Sequence, residues 1–296
     1  MIAQPLKNVA AWVEYFDQAD IPVLSRTERE LMGFKQNEDK LNGHEIADAI
    51  LHDPLMTLKV LRYLQSHHSK RQSMEITTIA RALMMLGTTP FFRHFAHLPT
   101  VESTLKAYPD ALARLMRNLS RAHHAARYAQ DWAMLRNDIE VDEVMLAALL
   151  RNLAEILLCC FAPQLMLTIR DAMRADPQLR SAEAQRRVLG FQGLELQLAL
   201  AERWRLPQLL QLLMDESKLQ NPRVKNVALA CRLARHSANH WFDAGLPDDY
   251  RDIAQLLRLS EAETWQRIQH VTLQAAKSWR WYGVAPTAAW LPLLPA

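Results

Sequence analysis

The sequence predicts an all-α protein, and three observations support this. No stretch alternates apolar and polar residues with the period of a half-buried strand. Only 7 of the 296 residues are glycine, whereas leucine, alanine, arginine and glutamine are abundant. Apolar residues instead recur at helical spacing, as at Val9, Trp12, Val13 and Phe16 near the start of the chain. These patterns indicate a chain built from amphipathic helices.

In the first third of the chain, helices are predicted over residues 7–17, 25–36, 44–51, 54–66 and 76–87. Pro22 disfavours helix before it, so the segment 21–24 is expected to be extended. Asp53 suits a helix N-cap, and Pro54 suits the first helical position. Gly87 closes the last of these helices. Polar segments at 38–43 and 67–75 are predicted to be a turn and a loop.

Further helices are predicted over residues 90–98, 109–135, 141–161, 164–174, 181–188, 194–203, 208–214, 223–241, 248–257 and 260–281. Pro163 separates two of them, and the segment 190–193, Gly-Phe-Gln-Gly, is predicted to be a hinge. The tail 282–296 is rich in proline and is predicted to be irregular.

Charge and cysteine content exclude several functional classes. The 35 Lys and Arg exceed the 32 Asp and Glu by only 3, and no dense basic stripe is present, so we expect no nucleic-acid partner. Three cysteines at low density suit a reducing compartment, and the N-terminus lacks a secretory signal pattern. We therefore expect a cytoplasmic protein.

Sequence motifs add further exclusions. The apolar stretch 144–161 is interrupted by Arg151, Asn152 and Glu155, which favours a core helix over a membrane span, and no membrane partner is expected. There is no Gly-rich phosphate loop and no nucleophile elbow, and no cofactor is expected. His236 and His240 have helical metal-ligand spacing, but no third ligand is evident.

Three stretches, taken in order, carry a resemblance to a known family. The first joins the extended proline segment 21–24 to 45–66 and 76–87, with Asp53-Pro54-Leu55 at its centre. The second is the apolar segment 144–158, and the third is 188–207, with a Leu-Gly-Phe hinge and a Trp-x-Leu-Pro ending. Together they resemble the HDOD family, the "HD-related output domain" of bacterial signalling proteins, and the resemblance covers roughly residues 12–240.

The resemblance implies an N-terminal helical bundle packed on a degenerate copy of the HD phosphohydrolase bundle. On that basis we expect residues 1–108 to form the N-terminal helical part and 109–241 the HD-like bundle. Residues 242–296 would form a C-terminal extension of helices and a proline-rich tail.

HD enzymes hold metal ions with a histidine, a His-Asp pair and a distal aspartate, and the resemblance shows what stands at those positions here. Leu149-Leu150-Arg151-Asn152 stands where an enzyme has Leu-Leu-His-Asp. Arginine cannot ligate a cation and its fixed charge repels one. The first histidine position falls at Arg121, with His123 and His124 nearby, and the remaining positions fall at Gln192 and near Asp215.

The expected function is therefore a non-catalytic signalling role in which the chain binds a regulatory protein partner. The candidate ligand cleft comprises Arg121, His124, Arg151, Asn152, Gln192 and Asp215. Because guanidinium pairs with phosphate, an anion such as a nucleotide is one expected ligand. The alternative for Arg151 is a structural ion pair, for instance with Glu155 at i+4. The alternative function is a residual metal-dependent phosphohydrolase. The oligomeric state is left open.

Overall fold

A computed structural model describes residues 1–36, 43–67, 78–138, 140–176 and 178–292. Within these ranges the regular structure is helical, and the strand-like pairing is one isolated parallel bridge between Val23 and Thr100. The predicted all-α class is confirmed. The predicted turn at 38–43 and loop at 67–75 lie almost entirely outside the described residues.

The first group of helices, in chain order, is α1 (Val9–Gln18), α2 (Ser25–Lys35), α3 (Gly43–Leu51), α4 (Pro54–His67), α5 (Ile79–Leu86), α6 (Thr88–His94), α7 (Val101–Thr104), α8 (Pro109–Leu135) and α9 (Val141–Leu150). The second group is α10 (Leu153–Phe161), α11 (Pro163–Ala175), α12 (Ser181–Leu189), α13 (Gly193–Arg203), α14 (Gln208–Met214), α15 (Pro222–His236), α16 (Leu246–Leu257) and α17 (Glu261–Ala276). Short 3-10 turns follow at Glu216–Lys218, Trp279–Trp281 and Thr287–Trp290.

The chain forms two compact units that are interleaved along the sequence. The first unit contains Met1–Leu115 and Asn152–Pro207, and the second contains Met116–Arg151 and Gln208–Ala296. The chain therefore passes between units three times: within α8, between Arg151 and Asn152, and just before α14. These units group residues by contacts between them, and they do not test the predicted division into 1–108, 109–241 and 242–296. That division stays a prediction.

In the first unit, one buried carboxylate joins the extended segment 21–24 to helix α4. Asp53 Oδ1 accepts hydrogen bonds from the backbone N–H groups of Leu55 (2.9 Å) and Met56 (3.3 Å), which caps α4 as predicted. Its Oδ2 accepts from the Leu24 N–H (2.7 Å) and the Thr27 hydroxyl (2.9 Å). The second pair of bonds is long-range, and cap chemistry alone does not predict it.

The end of α1 in the same unit is held by side chains from α4 and α13. Arg62 donates to the Asp17 carbonyl oxygen at 2.9 Å, and its guanidinium lies 4.5 Å from the ring centroid of Trp204. The Trp204 indole N–H donates to Asp17 Oδ1 at 3.1 Å, and Arg203 donates twice to Oδ2. The tryptophan of the Trp-x-Leu-Pro ending is therefore a structural anchor for α1.

In the second unit, α8 is bonded to α15 and α17. The Tyr128 hydroxyl lies 2.6 Å from Thr272 Oγ1 of α17, and both residues are fully buried. Arg267 of α17 makes two bonds of 2.7 Å to the Asp131 carboxylate. From α15, the buried Asn226 amide donates to the Ala129 carbonyl at 3.1 Å. The C-terminal helices are thus part of this unit's core.

Several predicted helix ends were wrong. The helix predicted over 90–98 begins at Thr88 and ends at His94, because Phe95 leaves the helical region with φ −100° and ψ 33°. The helix predicted over 223–241 ends at His236, where the Ser237 hydroxyl bonds back to the Leu233 carbonyl at 2.7 Å. The helix predicted over 260–281 ends at Ala276, and a 3-10 turn follows.

Candidate functional site

The apolar stretch predicted as one helix, 141–161, is two helices with a turn at Arg151 and Asn152. Helix α9 ends at Leu150 and α10 begins at Leu153. Asn152 has φ −107° and ψ 27°, which is outside the helical region, and it serves as the N-cap of α10. The polar pair therefore lies where the helix is interrupted and not on the side of a continuous helix.

By length and composition alone, the stretch Val141–Phe161 would be apolar enough to cross a membrane. In the folded chain, however, 83% of its most apolar window is buried inside the protein. Such burial is typical of the core helices of a water-exposed protein, because a spanning helix presents its side chains to lipid. The burial agrees with the predicted core role of this segment.

Arg151 is buried to 9% exposure, and Asp215 lies close enough to feel its charge. Asp215 caps the 3-10 turn Glu216–Lys218 by accepting from the Ser217 N–H at 3.0 Å. Hydrogen bonds from Ser217 hold the pKa of Asp215 below its usual value, and the positive charges of Lys218 and Arg151 lower it further. Of the predicted site residues, Arg151 and Asp215 thus belong to the same unit and carry opposite charges that interact electrostatically.

Arg121 and His124 are three residues apart on α8, so they lie on neighbouring positions of one helix face. His124 is buried to 3% exposure, and its ring lies 6.3 Å from that of Tyr128. Burial lowers the pKa of His124 to about 4, so its imidazole is neutral at physiological pH. Arg121 is half-buried. A neutral, enclosed imidazole is a poor general acid for a solvent-exposed reaction.

The other two predicted site residues, Asn152 and Gln192, belong to the first unit and act at helix starts there. Asn152 precedes α10, and its carbonyl accepts from the Ile156 N–H at 3.1 Å. Gln192 precedes α13, and its backbone N–H donates to Glu195 Oε1 at 2.9 Å. Since four of the six predicted residues belong to one unit and two to the other, a single cleft formed by all six stays a prediction.

The helix that would place Arg151 and Glu155 at i+4 spacing is interrupted between them, and their ion pair stays a prediction. Glu155 belongs to the first turn of α10, and Arg114 donates to its Oε1 at 3.3 Å within the first unit. Helical i+4 spacing requires both residues to lie on one continuous helix. The positive charge of Arg151 also acts on Asp215, 64 residues further along the chain, where it lowers the pKa of the carboxyl group.

Among the described side chains, no group of three or more His, Cys, Asp or Glu is arranged to hold a metal ion. The His236–His240 spacing does not form a helical pair either, because α15 ends at His236. His240 Nδ1 instead accepts from the Phe242 N–H at 3.2 Å.

A charged cluster that sequence reasoning missed links α15 to α16. His236 Nδ1 lies 2.6 Å from Asp249 Oδ2, and Arg232 donates to the other oxygen of Asp249 and to Asp252. Asp249 is only 1% exposed, so a buried carboxylate is satisfied by two basic side chains. The signal in the sequence was weak, because these residues are 13 to 20 positions apart and no local pattern pairs them.

Comparison with known proteins supports the family resemblance. The sequence matches the HDOD domain over residues 21–218. No curated protein sequence matches the chain. Among solved structures, a virulence factor from Campylobacter jejuni subsp. jejuni is similar, with a TM-score of 0.64 and 19% identity over 92% of this chain and 97% of that one.

A second similar structure is the MmoQ response regulator from Methylococcus capsulatus strain Bath. Its TM-score is 0.60 at 18% identity, over 81% of this chain and 99% of that one. At such low identity these two likenesses support the fold alone. The domain match spans two thirds of the chain and contains the Asp53-Pro54 cap, the Arg151-Asn152 turn and the Trp204 anchor. The chain belongs to the HDOD family.

Proposed function

We propose that this chain is a non-catalytic regulatory protein of bacterial signal transduction, which acts in the cytoplasm by binding a partner protein. The observation that carries the proposal is the buried Arg151, at the position where the family resemblance expects the histidine of a metal-binding His-Asp pair. A guanidinium bears a permanent positive charge and has no lone pair available for a cation. The name of one similar structure, a response regulator, supports a signalling role.

The neighbouring groups also support a non-catalytic role. Activation of water by a metal ion needs neutral imidazoles and carboxylates aimed at one point. At the corresponding positions this chain has Arg121, Arg151, Asn152 and Gln192. His124 is neutral but enclosed beside Tyr128. These substitutions replace ligands with cations and amides.

The competing function is a residual metal-dependent phosphohydrolase, and one experiment separates the two. The purified chain is analysed for bound iron, manganese and zinc, and assayed with bis(p-nitrophenyl) phosphate and cyclic di-GMP. We expect far less than one metal ion per chain and no turnover above the buffer rate. Stoichiometric metal, together with turnover that chelation abolishes, would contradict the non-catalytic function.

A paired variant sharpens this experiment. The double substitution Arg151→His with Asn152→Asp restores the enzyme-like pair, and Arg151→Ala with Asn152→Ala is its matched control. If the arginine is what excludes metal, the first variant should bind more zinc or manganese than the control. Equal metal content in both variants would show that other positions exclude the ion.

An anionic ligand at Arg151 is the second candidate, because guanidinium groups pair well with phosphate. Asp215 opposes it by compensating part of the positive charge. Calorimetry with cyclic di-GMP, ppGpp and ATP tests it, together with thermal melting. A ligand present at about 100 times its Kd stabilises a protein by about 2.7 kcal/mol. An unchanged melting temperature and no heat with all three would exclude this candidate.

A further inference from the structure

The region that follows Glu263 is basic and contains exposed tryptophans. From Thr264 to Ala296 the sequence has no aspartate or glutamate, and its basic residues are Arg267, Lys277 and Arg280, besides His270. Arg267 forms an ion pair with Asp131 within the second unit, so its charge is compensated there. Within the part of the chain that the structure describes, Lys277 and Arg280 have no ion pair. Their positive charge therefore faces solvent.

Leu273, Lys277, Trp279 and Arg280 form what we call the C-terminal basic surface. Leu273 is 55% exposed and lies one helical turn before Lys277 at the end of α17. Trp279 is 46% exposed, and the Arg280 guanidinium carbon lies 5.9 Å from its ring centroid. A cation beside an exposed indole offers both an apolar face and a charge to a partner.

The backbone around Trp279 is ordered by hydrogen bonds within a turn and by the buried side chain of Tyr282. Trp279 is the first residue of a 3-10 turn. Its backbone carbonyl accepts hydrogen bonds from the N–H groups of Tyr282 and Gly283, both at 3.1 Å. Tyr282 is buried to 3% exposure, and its ring lies 5.8 Å from that of His123 on α8. A side chain presented by an ordered turn loses less conformational entropy on binding than one on a loose tail. The exposed tryptophan is thus preorganised.

We propose that the C-terminal basic surface binds an acidic segment of the partner protein that also carries apolar side chains. The proposal rests on the proposed regulatory function and adds the chemistry of the partner. Glutamate or aspartate would pair with Lys277 and Arg280, and an apolar side chain would cover Trp279 and Leu273. The four residues lie beyond position 218, where the family match ends, so this surface is outside the matched domain.

Two other occupants fit the charges less well. Segments that bind anionic lipid headgroups usually carry about four to eight clustered Lys or Arg, and this surface has two. Nucleic-acid sites show a dense basic stripe with a recognisable motif, which the sequence lacks. An acidic protein segment requires only a few charge pairs around an apolar contact, which matches this surface.

The experiment uses the full chain and three fluorescein-labelled helical peptides with the same leucine face. The opposite face carries glutamate in the first peptide, glutamine in the second and lysine in the third. We expect the dissociation constant of the glutamate peptide, measured by fluorescence anisotropy, to be at least about tenfold lower than those of the other two. Equal affinity for all three would overturn the proposal.

Variants locate the binding. Lys277→Glu with Arg280→Glu should weaken binding of the glutamate peptide about tenfold or more, and so should Trp279→Ala, whereas Trp279→Phe should retain most of it. The matched control is Arg186→Glu with Arg187→Glu, which makes the same charge change on α12, where both side chains are more than half exposed. Thermal melting checks that each variant is folded. If the control weakens binding as much, the attraction is non-specific and the proposal fails.

A vesicle experiment tests the lipid occupant. The chain is sedimented with vesicles of phosphatidylcholine containing one part in three of phosphatidylglycerol. Binding to these vesicles that is lost in Lys277→Glu with Arg280→Glu, without binding of the glutamate peptide, would assign the surface to lipid and overturn the proposal. These outcomes are independent of the metal and turnover assays, so this surface can fail while the non-catalytic function stands.

Discussion

At the scale of single residues, the Asp53 carboxylate accepts four hydrogen bonds at the start of helix α4. Its two oxygens accept three backbone N–H groups and one hydroxyl, and the side chain is fully buried. In Asp53→Asn one oxygen becomes an NH₂ group that faces N–H donors. We expect a loss of about 1–3 kcal/mol in the free energy of unfolding at neutral pH, measured by urea denaturation.

The matched control is Asp48→Asn on the neighbouring helix α3, where the aspartate side chain is 77% exposed. We expect it to change the free energy of unfolding by less than about 0.5 kcal/mol. A loss of equal size in both variants would show that the four bonds to Asp53 do not matter for stability.

The pH dependence of this residue follows from its burial. Burial raises the pKa of Asp53 from 3.8 to about 6, although the hydrogen bonds from Leu24, Thr27, Met56 and Leu55 lower it. The folded state therefore binds the Asp53 proton more tightly than the unfolded chain does. The stability that this proton contributes is complete below about pH 3.8 and is lost as the pH rises through about 6. The difference between these two pKa values corresponds to about 3 kcal/mol in the free energy of unfolding.

Asp53→Asn cannot titrate, so the stability of the wild-type chain relative to this variant should fall between pH 4 and pH 7. Urea unfolding of both proteins across that range measures the change. A constant difference between the two proteins would mean that Asp53 titrates alike in the folded and unfolded chains.

At the scale of elements, a single buried hydroxyl pair connects α8 to α17. Burial raises the pKa of Tyr128 well above its usual value, so its hydroxyl stays protonated beside Thr272. Tyr128→Phe removes this bond and leaves Thr272 bonded to the Ile268 carbonyl at 2.7 Å. We expect a loss of about 1 kcal/mol in the free energy of unfolding.

Tyr250→Phe is the control for that substitution. Among the described residues, the Tyr250 hydroxyl makes no hydrogen bond, so removing it should change stability by less than about 0.5 kcal/mol. The prediction for Tyr128 is wrong if both variants lose the same amount.

The start of α16 requires a residue without a side chain. A Cβ added to Gly245 would lie 2.7 Å from Cε1 of His236, whose ring is held by Asp249. Gly245→Ala should therefore destabilise the chain by about 1–3 kcal/mol through overpacking, as thermal or urea unfolding would measure. Gly33→Ala in α2 has open space around the new Cβ and should be neutral or stabilising by up to about 1 kcal/mol.

Helix prediction succeeded where local signals were strong and failed where long-range contacts decided. The starts of α4 and α11 follow from Asp53-Pro54 and Pro163, since proline suits a first helical turn. The turn at Arg151 and Asn152 carries no glycine or proline, so periodicity alone predicted one continuous helix. That turn coincides with a passage of the chain between the two compact units.

At the scale of the whole molecule, the interleaved units predict that no single cut yields a folded half. Helix α1 packs against α13, and its core side chains Trp12 and Phe16 are fully buried. A fragment of residues 1–108 lacks α13 and would expose both rings to water. We expect it to show no cooperative thermal transition by circular dichroism, whereas the full chain should melt cooperatively.

A cooperative transition in the fragment 1–108, with helix content in proportion to its length, would contradict this expectation. Co-expression with a fragment 109–296 serves as the control. If the two fragments associate and recover a cooperative transition, the missing contacts are the cause of the failure.

The candidate site was predictable in part. The family resemblance located Arg151 and Asn152 at the metal-binding position, and the identity of these residues already argued against a bound cation. Asp215 was placed in the same candidate cleft as Arg151, although 64 residues separate them, and the effect of the Arg151 charge on the pKa of Asp215 is consistent with that placement. The Asp249 cluster was missed altogether, since its members are joined only by the packing of α15 on α16.

The sequence by itself determined the all-α class, the family and most helix starts, because helical periodicity, caps and prolines act within a few residues. The tertiary structure alone decided that the apolar stretch 141–161 is interrupted at Arg151, that Asp249 pairs with His236, and that Asp53 also binds the segment 21–24. These features depend on which distant donors and charges packing brings within hydrogen-bond reach. A local pattern does not encode that choice, because each partner lies on a different element of the chain.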